Sequence, residues 1–217
     1  MACDGAGRAL VLQEGPSRVL VLDRDLRRLE RVVDLVVARD QPGFGEGWAQ
    51  EDNARGEGLL PMCGGHLLVV KQRDPVCLIE FGPPGDAPLG IGPQTLLAPG
   101  GRLAPPAPAG GGDHAVLAWW PLSPRWAERV ESANDLALDE RGRLLLLSSR
   151  SRRIARIATP LDPDAPEAAV DDDWRVPELP GGGRSRPEAL CLVPGAVLVG
   201  YDARDAGDNV LVLEALD

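Results

Sequence analysis

Oxygen-bearing side chains recur at matching places along this chain. Glu57, Asn134 with Asp135, and Glu188 each open a short apolar run, and Glu14, Gln72, Ser149 and Asp202 each close the apolar run that follows a turn. A side chain in such a place has two uses: it serves as an oxygen ligand, or it bonds the backbone of the neighbouring unit. Turns favour these residue types in any case, so the second set reads as a channel mouth or as a blade rim that receives backbone hydrogen bonds. Taken alone, the Asn134–Asp135 pair is equally a turn signal or a ligand pair.

Other chemistries find less support. The two histidines, His66 after CGG and His114 after GGGD, have no Ser-His-Asp context, and no GxSxG occurs. His66 reads as a strand-edge residue, with a general-base role only if it stands in a channel near Glu57. PGGGRSR, from Pro180, is Gly-rich and basic but lacks the GxxxxGK[ST] spacing of a phosphate loop and reads as a connection. Cys3, Cys63, Cys77 and Cys191 form no CxxC pair and have no histidine at finger spacing, which argues against structural zinc and for buried free thiols. Cys63 and Cys77 flank one predicted strand and can approach each other, although a cytosolic setting keeps them reduced. Tyr201, beside Asp202, reads as packing.

The elements that must position these residues come from a repeat. Four segments align: from Ala2 (ACDGAGRALVLQEGPSRVLVLD), from Glu57 (EGLLPMCGGHLLVVKQRDPVCLIEFGP), from Asn134 (NDLALDERGRLLLLSSRSRRIARI) and from Glu188 (EALCLVPGAVLVGYDARDAGDNVLVLEAL). Each has an apolar run, a Gly-containing turn (DGAG, CGG, DERG, VPG), a second apolar run, a polar break and a third run that alternates. Runs this short, bounded by Gly, Asp and Pro, are strands. Alternation in RVLVLD and RIARIA puts one face towards a core, and the fully apolar LLLL and HLLVV suit strands buried on both faces. Three or four antiparallel strands at a period of about 40 to 55 residues is the pattern of β-propeller blades.

The sequence thus predicts an all-β fold, a β-propeller with about four recognisable blades in one domain, near 2–53, 54–130, 131–185 and 186–217. The first copy begins in its own turn without an inner strand, and the fourth stops without an outer one. A start-truncated propeller, an incomplete ring completed by a partner, and a ring of four or five blades with irregular edges all fit. The Pro-, Gly- and Ala-rich stretch 84–113 is expected as an exposed or partly disordered loop, with HAVLAWWPL after it as an outer strand. DPDAPEAAVDDD, from Asp162, is expected as a second exposed connection with a solvated acidic run.

Composition narrows the partners. Lys and Arg total 23 against 33 Asp and Glu, and the net charge of -10 repels a phosphate backbone or an anionic membrane surface. Neither a secretory signal nor a run of about 18 apolar residues is present, so the cytoplasm is the expected address. Gly at 26 and Pro at 21 suit short strands and tight turns. An unpaired edge strand and long loops point to a protein partner or self-association.

EGL or PEAL, an apolar strand, a turn, then LLVVKQRDP or LVGYDARD and a strand ending in Leu or Ile, together resemble the six-bladed propellers grouped around SdiA-regulated proteins, phytase-like esterase domains and the lactonase/NHL superfamily. In lactonase-type members, acidic and Asn side chains at the heads of inner strands bind a divalent cation that polarises an ester or lactone carbonyl. The resemblance implies Glu57, Asn134 and Glu188 as the corresponding ligands, for Ca2+ or another divalent ion. Two readings follow: a non-catalytic binding module for a protein or ligand, and a metal-dependent hydrolase of lactone, ester or phosphoester substrates. Among the tryptophans, Trp119 and Trp120 must point to opposite faces of a strand, one between blades and the other on an outer surface or against the Pro-rich loop. Trp126 follows them, and Trp48 is expected in a loop overhanging the channel entrance.

Overall fold

The structure is a computed structural model that describes residues 1–51, 54–97, 112–179, 185–202, 209–214 and 216. Short strands separated by tight turns pair with their chain neighbours, giving four antiparallel meanders. Blade 1 comprises β1 (Ala2–Cys3), β2 (Ala9–Gln13), β3 (Arg18–Leu22) and β4 (Leu29–Val36). After the short helix α1 (Gly45–Gln50), blade 2 comprises β5 (Gly56–Pro61), β6 (Leu67–Lys71), β7 (Cys77–Gly82) and β8 (Gly112–Pro121). One helical turn, α2 (Pro124–Ala127), leads to blade 3, with β9 (Asp135–Leu138), β10 (Leu144–Ser148), β11 (Arg153–Ile157) and β12 (Val170–Arg175). Blade 4 has β13 (Arg186–Val193), β14 (Ala196–Asp202) and β15 (Val210–Glu214), with no fourth strand among the described residues.

The blades stack face to face in chain order, and side-chain parity shows how. Leu10, Val19 and Val33 of blade 1 pack on Leu59, Val69 and Ile79 of blade 2. The opposite face of blade 2, with Leu68, Val70 and Leu78, packs on Leu136, Leu144 and Leu146 of blade 3. Alternate residues again, Leu145 and Leu147, turn to Leu190, Val197 and Val199 of blade 4. The four leucines of β10 therefore serve two cores, two residues each, because successive strand side chains point to opposite faces. All five β10 residues are buried, whereas β15 in the terminal blade is exposed at every second residue. The fold is all-β, a propeller of four blades, with one departure from separate sheets: β4 and β8 pair in parallel and join blades 1 and 2 at their outer edges.

Several expectations are corrected. Blade 1 does have an inner strand, the two-residue β1, paired to β2 through Ala2 with Leu10 and Cys3 with Ala9. The acidic run at 171–173 is outer strand β12, paired to β11, and Asp173 accepts a bond from Arg153. The described part of the Pro-rich loop, 84–97, is exposed from Pro84 to Leu89, as expected, and packed in part beyond it: Ile91 and Leu96 are buried, and the buried Glu80 carboxylate accepts the main-chain N–H groups of Leu89 and Gly90 at 2.8 and 3.0 Å. The rest of that loop, 98–111, and Pro180 to Arg184 of PGGGRSR lie outside the described residues. Trp48 sits on α1, buried between blades 1 and 2 rather than over the channel. Trp120 is buried between blades 2 and 3, and Trp119 packs on Phe44 with ring centroids 5.2 Å apart rather than on an outer surface or the loop. All four cysteines are free; Cys77 alone is fully buried, Cys63 is half-buried, and Cys3 and Cys191 are exposed. No helix among the described residues is long and apolar enough to cross a membrane.

Candidate functional site

Two inner strands begin with the same irregularity. In β5 the register with β6 jumps from Gly56–Lys71 to Gly58–Val70, leaving Glu57 as the extra residue of a bulge. In β13 it jumps from Pro187–Tyr201 to Ala189–Gly200, leaving Glu188 in the equivalent place. A bulge kinks its strand and re-aims the extra side chain. Gly58 is required at this point, since a Cβ there would stand 2.6 Å from the main-chain N of Leu136. The inner strands of blades 2 and 3 approach that closely.

The re-aimed heads meet the ends of the second strands. Gln72 Nε2, just past β6, donates to Glu57 Oε1 at 2.8 Å. Asn134 Oδ1 accepts from the Ser149 main-chain N–H at 3.0 Å and from Ser132 Oγ at 3.3 Å. Asn134 Nδ2 crosses to blade 4 and donates to Glu188 Oε2 at 2.7 Å. Asp135 makes a second link between the same blades, its Oδ2 accepting from the Leu190 N–H at 2.9 Å. In blade 4 both members of the pair, Glu188 and Asp202, are acids, and Asp202 adds repulsion at Glu188. Glu14, past the end of β2, bears on Glu57 in the same way.

These acids share one field. Burial pushes Glu57 up to about 7, and the charges of Glu14, Glu188 and Asp135 push in the same direction, against Arg73. Burial also raises Glu188, opposed by the Asn134 amide, and raises Asp135, opposed by the Leu190 N–H. The arrangement is a half-buried cluster of negative charge, contributed by the inner ends of all four blades.

The residues named from the sequence meet in pairs rather than as a ready ion cage: Glu57 with Gln72, and Asn134 with Ser149 and Glu188. Asn134 has one oxygen, and Ser149 and Ser132 occupy it; the Asn134 group that faces Glu188 is a nitrogen. One Glu57 oxygen is taken by Gln72. Among the described residues no three His, Cys, Asp or Glu side chains are grouped to hold a metal ion. As arranged, Glu57, Asn134 and Glu188 do not fit an oxygen-rich calcium site, which needs about six to eight oxygen ligands at one point.

No family profile matches this chain. No curated protein matches it. Among solved structures, a protein of unknown function from Bacteroides caccae is similar at a TM-score of 0.42 and 12% identity, over 98% of this chain and 59% of that one. A β-propeller domain from Myceliophteria thermophila is similar at a TM-score of 0.42 and 13% identity, over 96% of this chain and 69% of that one. This chain therefore spans less than two thirds of the first of these. Neither likeness is strong enough to bear on function.

His66 lies away from the cluster. It precedes β6, whose first residue pairs with Pro61 at the far end of β5 from Glu57. It is buried, with Nδ1 at 2.7 Å from Glu80 Oε1 and Nε2 at 3.4 Å from Asp86 Oδ2, and the Glu80 bond, outweighing burial, raises its pKa. No motif in the sequence marks Glu80, Ser132 or this histidine–carboxylate latch. The signal was faint: a single Glu inside the apolar CLIEFG, which only a buried partner explains.

Proposed function

We propose that this chain is a non-catalytic binding module whose inner-end carboxylate cluster receives a positively charged group of its partner, such as a lysine or arginine side chain. The observation that supports it is the bulge of β5, which sets Glu57 against Gln72, where burial and then the charges of Glu14, Glu188 and Asp135 push its pKa up to about 7. A cation entering among Glu14, Glu57, Glu188 and Asp202 relieves that repulsion and binds as a charge-assisted hydrogen-bond acceptor site would have it. The acidic composition, net charge -10, favours the approach of a basic partner. The reading keeps the repeat style of the SdiA-regulated and lactonase/NHL propellers without assigning their ester chemistry.

Titration calorimetry with short lysine and arginine peptides tests the reading. Near pH 7, binding should release a proton from Glu57, so the measured heat should change with the ionisation enthalpy of the buffer. Glu57→Gln should remove that buffer dependence and weaken binding. A peptide that binds with no proton release in the wild-type chain, or equally well to Glu57→Gln, would refute the assignment.

A further inference from the structure

We infer that His66 is a proton-operated latch: protonated, it ties the loop after β7 to blade 2 by bonding Glu80 and Asp86 together, and deprotonated, it lets the Asp86 end of that loop go. The inference concerns the far end of blade 2 and is independent of the cationic-ligand reading. Both ring nitrogens face carboxylates, Nδ1 at 2.7 Å from Glu80 Oε1 and Nε2 at 3.4 Å from Asp86 Oδ2. A neutral imidazole has one N–H and cannot donate to both, whereas imidazolium has two. The ring occupies space that Gly82 leaves open, since a Cβ there would stand 2.9 Å from His66 Cδ2. Its main chain is fixed as well, the N–H donating to Cys63 O at 3.2 Å and the carbonyl accepting from Met62 N at 2.9 Å.

The two carboxylates differ, and the difference fixes which bond is lost. Glu80 is fully buried, and its oxygens also accept from the Leu89 and Gly90 N–H groups. A buried charge holds its partners, so the one N–H of the neutral ring stays on Nδ1. Asp86 has half of its side chain exposed, and water takes over its bond at little cost. The stretch 84–88 is exposed and closes on itself in a turn, Asp86 N–H to Pro83 O at 3.1 Å. It is therefore the part released, with Leu89 as its hinge. Among the described residues the cationic group nearest in the field is His114 of β8. Burial holds its pKa down, Arg31 of β4 pushes the same way, and the neutral ring donates from Nε2 to Gly65 O at 2.9 Å. For His66 the Glu80 bond outweighs burial, Asp86 adds to it, and the pKa rises above the ordinary 6.5. The tie is complete below 6.5 and is lost as pH rises through that raised value.

NMR of the full chain between about pH 5 and pH 9 tests this, with carbon-detected order parameters at Asp86 and Ala87 read against the His66 imidazole titration. In the wild type both residues should fall from the rigid range, about 0.85, towards the flexible range, below about 0.6, as His66 loses its proton. The two curves should share one midpoint above 6.5. Asp86→Ala should leave Ala87 flexible at every pH and lower the His66 midpoint, while Leu89 and Gly90 keep their hydrogen-exchange protection through Glu80. Order at Asp86 and Ala87 that is unchanged across the His66 titration overturns the proposal. So does a His66 midpoint at or below 6.5, or a transition at Ala87 that survives in Asp86→Ala.

Discussion

Replacing Glu57 by Gln removes one charge and keeps the shape. The Gln carbonyl can still accept from Gln72 Nε2, which now bonds Glu57 Oε1 at 2.8 Å. The folded-state value of about 7 lies above the ordinary 4.5, so the native state holds this proton more tightly than the unfolded chain. The contribution is favourable below pH 4.5, declines as pH rises through the interval to 7, and is then fully lost. At about 1.4 kcal/mol per pKa unit the ceiling is roughly 3 kcal/mol, and solvent screening of a half-buried group reduces it to about 1–2 kcal/mol. Glu57→Gln has no such titration. It should therefore gain about 1–2 kcal/mol on the wild type between pH 5 and pH 8, or about 3–6 °C in midpoint for a chain of this size. Urea and thermal unfolding of both proteins at several pH values supply the comparison. A wild-type-minus-variant difference that stays flat from pH 5 to 8 would refute the electrostatic account of the cluster.

Two further substitutions probe its surroundings. Gly58→Ala puts a Cβ 2.6 Å from the Leu136 main-chain N, and backbone cannot rotate away, so a loss of about 1–3 kcal/mol is expected in chemical unfolding. Asn134→Asp exchanges the donor 2.7 Å from Glu188 Oε2 for a second carboxylate; stability should fall by about 2–3 kcal/mol at pH 8 and recover towards pH 5, where the two acids share a proton. Rescue of Asn134→Asp by millimolar calcium, read as a shift in midpoint, would point instead to a cation site between these residues.

The legible part of the fold was the part governed by local alternation and turn residues. LLLLS, bounded by DERG and SSRSRR, is strand β10, and its burial on both faces follows from its lack of polar residues. Alternation also fails as a guide for physical reasons. VDDDWR carries its acids on an outer strand, where water and the arginines of β11 satisfy them, so it reads as a loop although it pairs as β12. The segment after Pro84 has the composition of disorder, yet Leu89 and Gly90 in it are held by Glu80, nine and ten residues before the N–H groups it binds. Composition does not record a bond of that range. The site shows the same division. The recurrence of Glu57, Asn134 and Glu188 is visible in the repeat; in the structure Asn134 bonds Glu188, whereas Glu57 bonds Gln72. That Asn134 turns its nitrogen to Glu188 depends on Ser149 and Ser132 claiming its oxygen, which no spacing rule encodes.

The pair formed by strand head and strand end differs in chemistry from blade to blade. In blade 2 the head and strand-end pair is a carboxylate with an amide; in blade 3 it is an amide with a backbone N–H. In blade 4 it is two acids, Glu188 and Asp202; burial first, and Asp202 last, raise Glu188, opposed by the Asn134 amide and by Arg186. Negative charge is least balanced in blade 2, where burial and then Glu14, Glu188 and Asp135 push Glu57 up to about 7 against Arg73. A basic ligand that neutralises this field should bind more weakly as salt screens it, because the groups are half-buried or exposed. Calorimetric binding of an arginine peptide that stays constant from low to high ionic strength would count against charge capture, since binding through apolar area is indifferent to salt.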